Sequence, residues 1–471
     1  MPAGRVLIAF SDGPLVANPT WTRVDDQTGA TFPLNFVSGF DTQNGRQTLM
    51  SQTETGTATV YINDYQNGIF DPRNSSSPYF GELDGRQIML QIYNPVTGVW
   101  EPQFRGLIED VTYDIDDTAV NANGEPVNAS VQIECVDMFD YLNGYGLTPG
   151  LDGVAPPSGM EDGVYYAATS GTVEDRILEI LTDATSVGWV TDMTQTASGN
   201  TEVIAVKYDP DESALTALRD AADAELPFIA NIYVNRHGQF VFRGRYSRFD
   251  PDAVKAAGGG SWDFTRWKVG DSKAITADAT RAQMRVLSYV RGRSNIINAA
   301  ICYPQGITPT DLLATAIYAD TSSITSYGKH AAAPMGDLLT DTYVGPGTLT
   351  PGDGKQQCSL FAKLLVKNQK DPREAISALN VKSLTPVGAR ASVTWDVLTK
   401  ADISHIVNVA VSYPYGTGFT GSATVDDYYI EGRSLKVRPA NSSYDYVELD
   451  LEVSPAVWSM DTHSVFPAFG S

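Results

Sequence analysis

The sequence is poor in the two residue types that build most metal centres and many nucleophilic sites. Its 471 residues include four histidines and three cysteines, with no i, i+4 histidine pair, no HExxH motif and no CxxC motif. They are His237, His330, His405, His463, Cys135, Cys302 and Cys358. Zinc sites need Cys and His pairs at short spacing. We therefore predict no metal site, and we expect reduced, buried cysteines in a protein that folds in a cytoplasm.

Positive charge and long apolar runs are also scarce. The chain has 33 Lys and Arg against 56 Asp and Glu, which gives a formal net charge of −23. So acidic a surface does not suit binding to a phosphate backbone or an anionic membrane. No stretch of eighteen apolar residues exists, and the apolar run at 6–10 is too short for a secretion signal. We predict no membrane-spanning helix and no stable membrane insertion.

Phosphate-binding and calcium-binding motifs fail at their defining positions. The glycine-rich segment 345–356 contains a Gly-Lys pair, but a P-loop needs Gly at 349 and Ser or Thr at 356. The segment 63–74 resembles a calcium loop, yet Tyr65 holds a ligand position and Asn74 replaces the bidentate Glu. GxSxG is absent, and no GxGxxG segment leads from a predicted strand into a predicted helix. We predict no catalytic, cofactor-binding or metal-binding residues, no cofactor and no enzymatic activity.

Two groups of side chains have a second interpretation. The acids near the end of a predicted strand could hold a cation, although a solvated strand end is the commoner meaning. The aromatic residues between 262 and 289 could stack on sugars, although such residues more often lie in a core or an interface. The acids are Asp114, Asp116 and Asp117, and Glu125 in the next loop adds to the acidity of this stretch without belonging to the candidate cation site. The aromatic residues are Trp262, Phe264, Trp267 and Tyr289.

What the sequence has in abundance are turn formers and tyrosine. It contains 41 Gly, 26 Pro and 23 Tyr, a balance typical of β structure with many connections. Alternating apolar and polar residues predict strands near both termini. In the first part they cover 57–62, 87–93, 104–115 and 130–136, and in the last part 391–397, 406–411, 428–437 and 446–453. Short strands at this spacing indicate a small barrel or sandwich at each end.

The middle of the chain changes from a period of two to helical spacing. Thr172 and Asp175 form a capping box before a first helix, and a second helix begins at Ser213. A hairpin over 228–243 follows, and a third helix is predicted over 356–367. The fold class is therefore mainly β with α+β insertions, with two related small β-barrels flanking a helix-plus-hairpin domain and an irregular α+β segment. The predicted boundaries are 1–147 and 376–456 for the barrels, 160–285 for the helix-plus-hairpin domain, 286–375 for the irregular segment with strand 295–303, and 457–471 for a tail.

An internal repeat links the two β regions. Residues 104–111 followed by a strand at 131–136 match residues 429–437 followed by a strand at 447–453. We predict that both regions share one fold, with Phe104 equivalent to Tyr429 and Val131 equivalent to Val447. Convergent hairpin spacing is the alternative explanation.

Several segments together resemble tail-hub or minor tail proteins of phages, especially of siphophages that infect actinobacteria. The matching segments are 56–64, 68–74, 77–79, 103–110, 134–142, 215–243, 323–328 and 429–455. Each is a packing or turn signature, and their shared order carries the resemblance.

That resemblance implies a trimer in which two tail-tube-like barrels per chain form a ring of pseudo-six-fold symmetry. Such a hub adapts the six-fold tail tube to a three-fold tip and lines the DNA ejection channel, through which DNA passes without specific binding. Its expected partners are the distal tail protein or tail tube above, and tail fibre, tape-measure or other tip proteins. Its expected place is the tail tip of the virion, after assembly in the host cytoplasm. The alternatives are a hexameric distal tail protein and, from another class, a carbohydrate-binding or cell-wall-degrading tail module.

Overall fold

In the computed structural model, the described residues are 4–25, 37–48, 51–65, 70–71, 73–77, 79, 81, 83–120, 126–147, 165–167, 171–185, 194–197, 202–203, 206–208, 212–225, 229–249, 265–291, 296–304, 317–332, 335–338, 354–372, 374–383, 389–412, 424–439 and 445–456.

Strands dominate this part of the chain, as predicted. In order, they are β1 (Gly4–Ala9), β2 (Thr22–Arg23), β3 (Val37–Gly45), β4 (Glu54–Tyr65), β5 (Gln87–Asn94), β6 (Val99–Val120), β7 (Pro126–Val136), β8 (Tyr165–Ala167), β9 (Gly171–Thr172), β10 (Thr194–Ala197), β11 (Glu202–Val203), β12 (Val206–Tyr208), β13 (Asn231–Val234), β14 (Phe240–Arg243), β15 (Arg266–Gly270), β16 (Ala282–Gln283), β17 (Arg285–Arg291), β18 (Ala299–Pro304), β19 (Ile317–Ala319), β20 (Met335–Leu338), β21 (Glu374–Lys382), β22 (Ile406–Val411), β23 (Thr424–Pro439) and β24 (Asp445–Pro455).

The helices of the described residues lie mainly between these strands. They are α1 (Met138–Gly144), α2 (Val173–Thr185), α3 (Ala214–Glu225), α4 (Tyr246–Phe249), α5 (Ser272–Ala277), α6 (Thr321–Tyr327), α7 (Gly354–Gln369) and α8 (Ala389–Lys400). None of them is both long enough and apolar enough to span a bilayer.

One large sheet joins the two ends of the chain. Its main path runs β16-β15-β22-β23-β3-β4-β7-β6-β5-β1-β2, and β24, β21 and β17 branch from β23. Alternating side chains on these strands, such as Ala58, Val60 and Ile62 on β4, point into one continuous core that spans both ends. The strand pairing of the described residues leaves free edges, so these residues alone contain no closed barrel.

The two β regions repeat the same strand order. The path β3-β4-β7-β6-β5 in the first region corresponds to β17-β21-β24-β23-β22 in the second. The long strand β6 pairs first with β5 and then with β7, and the long strand β23 pairs first with β22 and then with β24. Along its pairing with the strand that follows, each long strand bulges at a glutamate, Glu109 in β6 and Glu431 in β23. Because order, direction and bulge agree, convergent hairpin spacing does not account for the repeat.

The equivalent residues differ from those predicted. The bulges align Ile108, paired with Cys135, with Ile430, paired with Val453. Tyr429 is then equivalent to Leu107 and not to Phe104, and Val131 is equivalent to Leu449 and not to Val447. The prediction was wrong in register because sequence similarity between strands does not reveal where a bulge inserts its extra residue.

Residues 391–397, predicted as a strand, belong to helix α8. Val393, Trp395 and Val397 alternate with polar residues, which suggested a period of two. The buried side chains include Thr394, Val397, Leu398 and, just beyond the helix, Ala401, at the i, i+3, i+4 and i+7 spacing of a helix. This apolar stripe packs on the core of the large sheet.

The middle of the chain folds as predicted for its helices and hairpin. Thr172 and Asp175 exchange capping hydrogen bonds at the start of α2, with Asp175 N donating to Thr172 Oγ1 at 3.2 Å. Ser213 caps α3 through the backbone N–H of Thr216 at 3.2 Å. The strands β13 and β14 form the predicted hairpin, and α2, α3 and this hairpin share a second core with α1.

The segment predicted as irregular contains a small sheet of its own. Strand β18 pairs with β19 and β20, while β17 is the strand that extends the second β region by pairing with β21. The predicted strand 295–303 therefore begins later, at Ala299, and lies outside the large sheet in the described residues. Helix α7 covers the predicted helix 356–367, with Phe361, Leu364 and Leu365 buried.

Candidate assembly site: the joint between the two repeats

The two repeats are joined by one antiparallel strand pair, β3 with β23. Its register places Phe40 opposite Val437 and Gly45 opposite Gly432. On the same edge of β23, the preceding residues pair with β22. The long strand β23 thus offers one edge to two different strands, and this arrangement continues the sheet from one repeat into the other.

An exposed ion pair lies on one face of this joint. Arg438 Nη2 donates to Asp41 Oδ2, and the Arg438 guanidinium lies 4.8 Å from the centre of the Tyr61 ring. Tyr61 Oη also donates to Asp41 at 3.3 Å. Burial and the Asp41 charge raise the pKa of Tyr61. Partly exposed pairs of this kind add little to stability, so their contribution is mainly to fix the register.

A fully buried carboxylate lies at the centre of the joint. Glu431, the bulge residue of β23, accepts hydrogen bonds from Arg46 Nε at 2.8 Å and from both terminal nitrogens of Arg248 at 2.7 and 2.8 Å. Ser454 Oγ also donates to it. Burial raises the pKa of Glu431, but Arg248 and Arg46 outweigh this effect and lower that pKa to about 2. The glutamate is therefore charged and bound to two cations.

Each partner of Glu431 comes from a different part of the fold. Arg46 directly follows β3, and its backbone N–H also donates to the Glu431 carbonyl at 2.9 Å. Arg248 lies on α4, after the β13–β14 hairpin, and its carbonyl accepts a hydrogen bond of 2.5 Å from Tyr429 Oη. The cluster of Arg46, Arg248 and Glu431, called here the arginine–glutamate clamp, holds the two repeats and the middle domain together.

The backbone around the clamp leaves no room for a side chain at Gly45. This residue has φ = +94°, and a Cβ there would lie 2.4 Å from the Glu431 carbonyl oxygen. Only glycine fits both the left-handed backbone and this close approach.

A second set of contacts links the hairpin turn and the repeats. Arg236, in the turn between β13 and β14, donates through Nη1 to Thr399 O at 2.8 Å and to Glu101 Oε2 at 3.3 Å. Arg433 Nη2 on β23 donates to Gln103 Oε1 on β6 at 2.6 Å. Burial lowers the pKa of Arg433 to about 10. The hairpin turn is therefore held against both repeats by partly buried, charge-assisted hydrogen bonds, and a buried one links the two repeats directly.

A polar cavity of about 490 Å³ lies beside these contacts. The residues that line it come mainly from β6, the hairpin and the segment before β22, and they include Arg105, Arg243, His237, Asp402 and His405. The fold thus brings together His237 and His405, which are far apart in sequence. His405 Nδ1 accepts a hydrogen bond from Trp267 Nε1 at 3.1 Å, so this ring nitrogen is not available as a metal ligand. No cluster of three potential metal-binding side chains occurs among the described residues.

Solved structures with a similar fold were found, although the chain matches no protein-family model and no curated protein in sequence. A tail protein from Neisseria meningitidis MC58 has a TM-score of 0.51 and 12% identity, over 98% of this chain and 99% of that one. This chain shares the fold of a tail protein. The 43 kDa tail protein of prophage MuSo2 from Shewanella oneidensis has a TM-score of 0.48 and 8% identity, over 97% of this chain and 99% of that one. The predicted resemblance to tail proteins is confirmed at the level of the fold. The role as a hub and the actinobacterial host stay predictions.

The acids and aromatic residues singled out in the sequence are not brought into one site. Asp114 is exposed on β6, which continues to Val120, so the acidic run belongs to a strand and not to its end. Trp267 is half-buried against the core, and Tyr289 is exposed on β17. His330 lies apart, with its backbone N–H donating to Asn298 Oδ1 at 2.8 Å. The side chains of Asp116, Asp117, Cys302 and Cys358 lie outside the description, as do Glu125, Trp262, Phe264, His463, residues 66–69 and most of 345–356.

The clamp was not found from the sequence. Its three members are separated by about two hundred residues each, and isolated Arg and Glu residues are common on any surface. The one available signal is the repeated Ile-Glu pair at 108–109 and 430–431, which marks the two bulges.

Proposed function

We propose that the chain is a structural hub of a phage tail tip, in which three copies form a ring. The observation that carries this proposal is the internal repeat: one chain contains the same β unit twice, joined edge to edge through β3 and β23. Three such chains offer six similar units while keeping only three-fold symmetry. A ring of this kind matches a six-fold tube on one side and a three-fold tip on the other.

In this proposal the distal tail protein or the tail tube lies above the ring. Tail fibre, tape-measure or other tip proteins bind to it as well, and the site of action is the tail tip of the virion, after assembly in the host cytoplasm. Closed rings use heterologous contacts, in which two different surfaces of each copy meet. Permanent interfaces of this kind bury on the order of 2,000 Å² or more.

We further propose that the ring lines the channel for DNA ejection without binding DNA specifically. The net charge of −23 supports this, because each Lys or Arg bound to a phosphate releases counterions and a wall of such contacts would retain the duplex. The proposed role needs no enzymatic activity.

A hexameric distal tail protein is the alternative role within a phage tail. It needs one β unit per chain, so the repeat speaks against it. A carbohydrate-binding or cell-wall-degrading module is the alternative from another class. Glycan binding by the purified chain, or release of soluble fragments from host cell walls, would favour that class.

The decisive experiment is a count of copies. Cryo-EM of the tail, with the density of this chain located, is expected to show three copies in one ring, and the dissociated ring is expected to have three times the mass of the 50.9-kDa chain. Six copies in one ring would contradict the hub and support the distal tail protein.

A further inference from the structure

Two of the strands with a free edge in the described part of the chain are β6 and β17. Strand β6 pairs with β5 as far as Leu107, and Ile108 exchanges hydrogen bonds of 2.9 Å with Gly85 and Arg86. Beyond the bulge, residues 110–115 pair with β7 on one side, and the other side has no described strand beside it. Among the described strands, β17 pairs only with β21.

These two edges correspond to the two strands that form the internal joint. In the repeat, β6 is equivalent to β23 and β17 is equivalent to β3. The free edge of β6 is the one that β3 occupies on β23. The free edge of β17 corresponds to the edge through which β3 pairs with β23. A single chain therefore carries both halves of a second joint of the same kind, at positions that it does not bring together.

We infer that β17 of one copy pairs antiparallel with residues 110–115 of β6 in a second copy, as β3 pairs with β23 within each chain. The partner is another copy of this chain. The number of copies that such joints connect rests on the proposed function, but the joint itself does not.

The internal joint predicts the register of the joint between copies. Counting from the aligned bulges, Val437 of β23 corresponds to Ile115 of β6. Phe40 of β3 pairs with Val60, which pairs with Ile133, and Val286 of β17 pairs with Leu379, which pairs with Leu451. Because Ile133 and Leu451 are equivalent in the two repeats, Phe40 corresponds to Val286. Since Phe40 lies opposite Val437, Val286 is expected to lie opposite Ile115 of the neighbouring copy.

Both edges expose apolar side chains that such a joint would cover. Leu287 and Tyr289 on β17 are 46% and 42% exposed, and Ile115 on β6 is 42% exposed. Long strands with an open edge and exposed apolar residues pair readily with other chains, so soluble proteins usually shorten or cover them. A native partner for both edges accounts for their persistence here.

The two edges also have opposite charge. The β6 segment holds Glu109, Asp110 and Asp114, all exposed, with no basic residue from 109 to 120. Strand β17 begins with exposed Arg285 and ends with Arg291, and it contains no acid. In the predicted register Arg285 lies opposite residue 116 of the neighbouring copy and is therefore a diagonal neighbour of Asp114. Complementary charge across paired strands favours this partner over two like edges, because like charges directly opposite are destabilising.

The similarity of the edges extends to their ends. The bulge of β6 presents the exposed carboxylate of Glu109, where β23 has the clamped Glu431. In the sequence, Gly292-Arg293 follows β17, while Gly45 is the last residue of β3 and Arg46 follows it.

Disulfide trapping tests the register directly. The full-length Ile115→Cys/Val286→Cys variant, oxidised at high chain concentration, is expected to form covalent dimers and larger species between copies, because opposite strand residues place their Cβ atoms about 4.5–5.5 Å apart. Each single-cysteine variant is the control and is expected to give no such series of cross-linked species. A double variant that stays uncross-linked while the unmodified chain assembles would overturn the joint.

Charge reversal tests the same joint without cysteine. Asp114→Lys and Arg285→Glu are each expected to weaken self-association at least tenfold by analytical ultracentrifugation, and the combined variant is expected to recover most of it. Matched reversals at Asp426 and Lys268, exposed residues on strands β23 and β15, are expected to have no effect. Equal losses in all four single variants, or no rescue, would contradict the inference.

The two proposals fail in different ways. Cross-linked rings of six copies, or open chains without end, would preserve the joint and reject the trimeric hub. A ring of three copies that forms no disulfide between the two cysteines, and whose assembly the charge reversals do not weaken, would preserve the hub and reject the joint. Absence of any cross-link at the highest attainable chain concentration also counts against the joint.

Discussion

The two repeats follow the same path through the sheet, yet their bulge glutamates have opposite environments. In the second repeat, Glu431 is fully buried between Arg46 and Arg248. In the first repeat, the equivalent Glu109 is exposed. The backbone irregularity is the same in both, so the difference comes from what lies beside the long strand: β3 flanks β23, and no described strand flanks the corresponding part of β6.

This comparison separates what the β unit needs to fold from what it uses for assembly. A buried ion pair is not required by the unit itself, because the first repeat keeps the same strand order without one. Buried charges are costly to desolvate and are stabilised only by close, well-oriented partners. The clamp is therefore best explained as a device that orients one unit against the next.

Removing the charge of Glu431 is expected to give the largest effect. In Glu431→Gln, two buried guanidinium groups lose their counter-charge, and breaking a buried pair in this way typically costs about 3–5 kcal/mol. The free energy of unfolding, measured by urea denaturation of the full chain, is expected to fall by this amount. The same change at the exposed equivalent, Glu109→Gln, is expected to alter it by less than about 0.5 kcal/mol. Equal losses at both positions would refute the contrast between the repeats.

The pH dependence of stability sharpens the same contrast. The pKa of Glu431 in the folded state is about 2, below its ordinary value of 4.5. Because the folded-state pKa is the lower one, the stabilisation is complete above pH 4.5 and is lost as the pH falls towards 2. The difference in unfolding free energy between the unmodified chain and Glu431→Gln is expected to shrink by about 3 kcal/mol over this range. A difference that does not change with pH would show that Glu431 is not held as a carboxylate.

Much of the fold could be predicted from local patterns. The alternation in β4 and β5, the capping box at Thr172 and the hairpin turn at 235–238 are all specified by neighbouring residues. Even the repeat was visible, because equivalent strands carry similar sequences.

The sequence-based predictions were wrong where tertiary contacts determine the local structure. Helix α8 was predicted as a strand because Val393, Trp395 and Val397 alternate, and only packing on the sheet favours the helix. The register of the repeat was wrong by two or three residues because bulges are not visible in sequence. The clamp could not be predicted at all, since Arg46 and Glu431 are 385 residues apart and meet only through the β3–β23 pair.

The smallest expected effect concerns a turn that both repeats share. Gly85 N donates to Ile108 O at 2.9 Å, and Ser404 N donates to Ile430 O at 2.8 Å, so these residues occupy equivalent places before β5 and β22. Both have left-handed backbones, with φ of 71° and 65°. A side chain strains that conformation by about 1–2 kcal/mol, whereas glycine adopts it freely but loses more backbone entropy on folding.

Exchanging the two residue types therefore tests whether the turns are physically equivalent. Gly85→Ser is expected to lower the free energy of unfolding by about 1 kcal/mol, since a Cβ there meets no atom within 4 Å and only the backbone strain remains. Ser404→Gly is expected to change it by a smaller amount in the opposite direction, because relief of strain is partly offset by entropy. Urea denaturation of both single variants and of the double variant measures these effects, and additivity is expected because the turns share no contact. A loss in Ser404→Gly as large as that in Gly85→Ser would mean that the Ser404 side chain has a role of its own, and that the two turns match in geometry but not in energy.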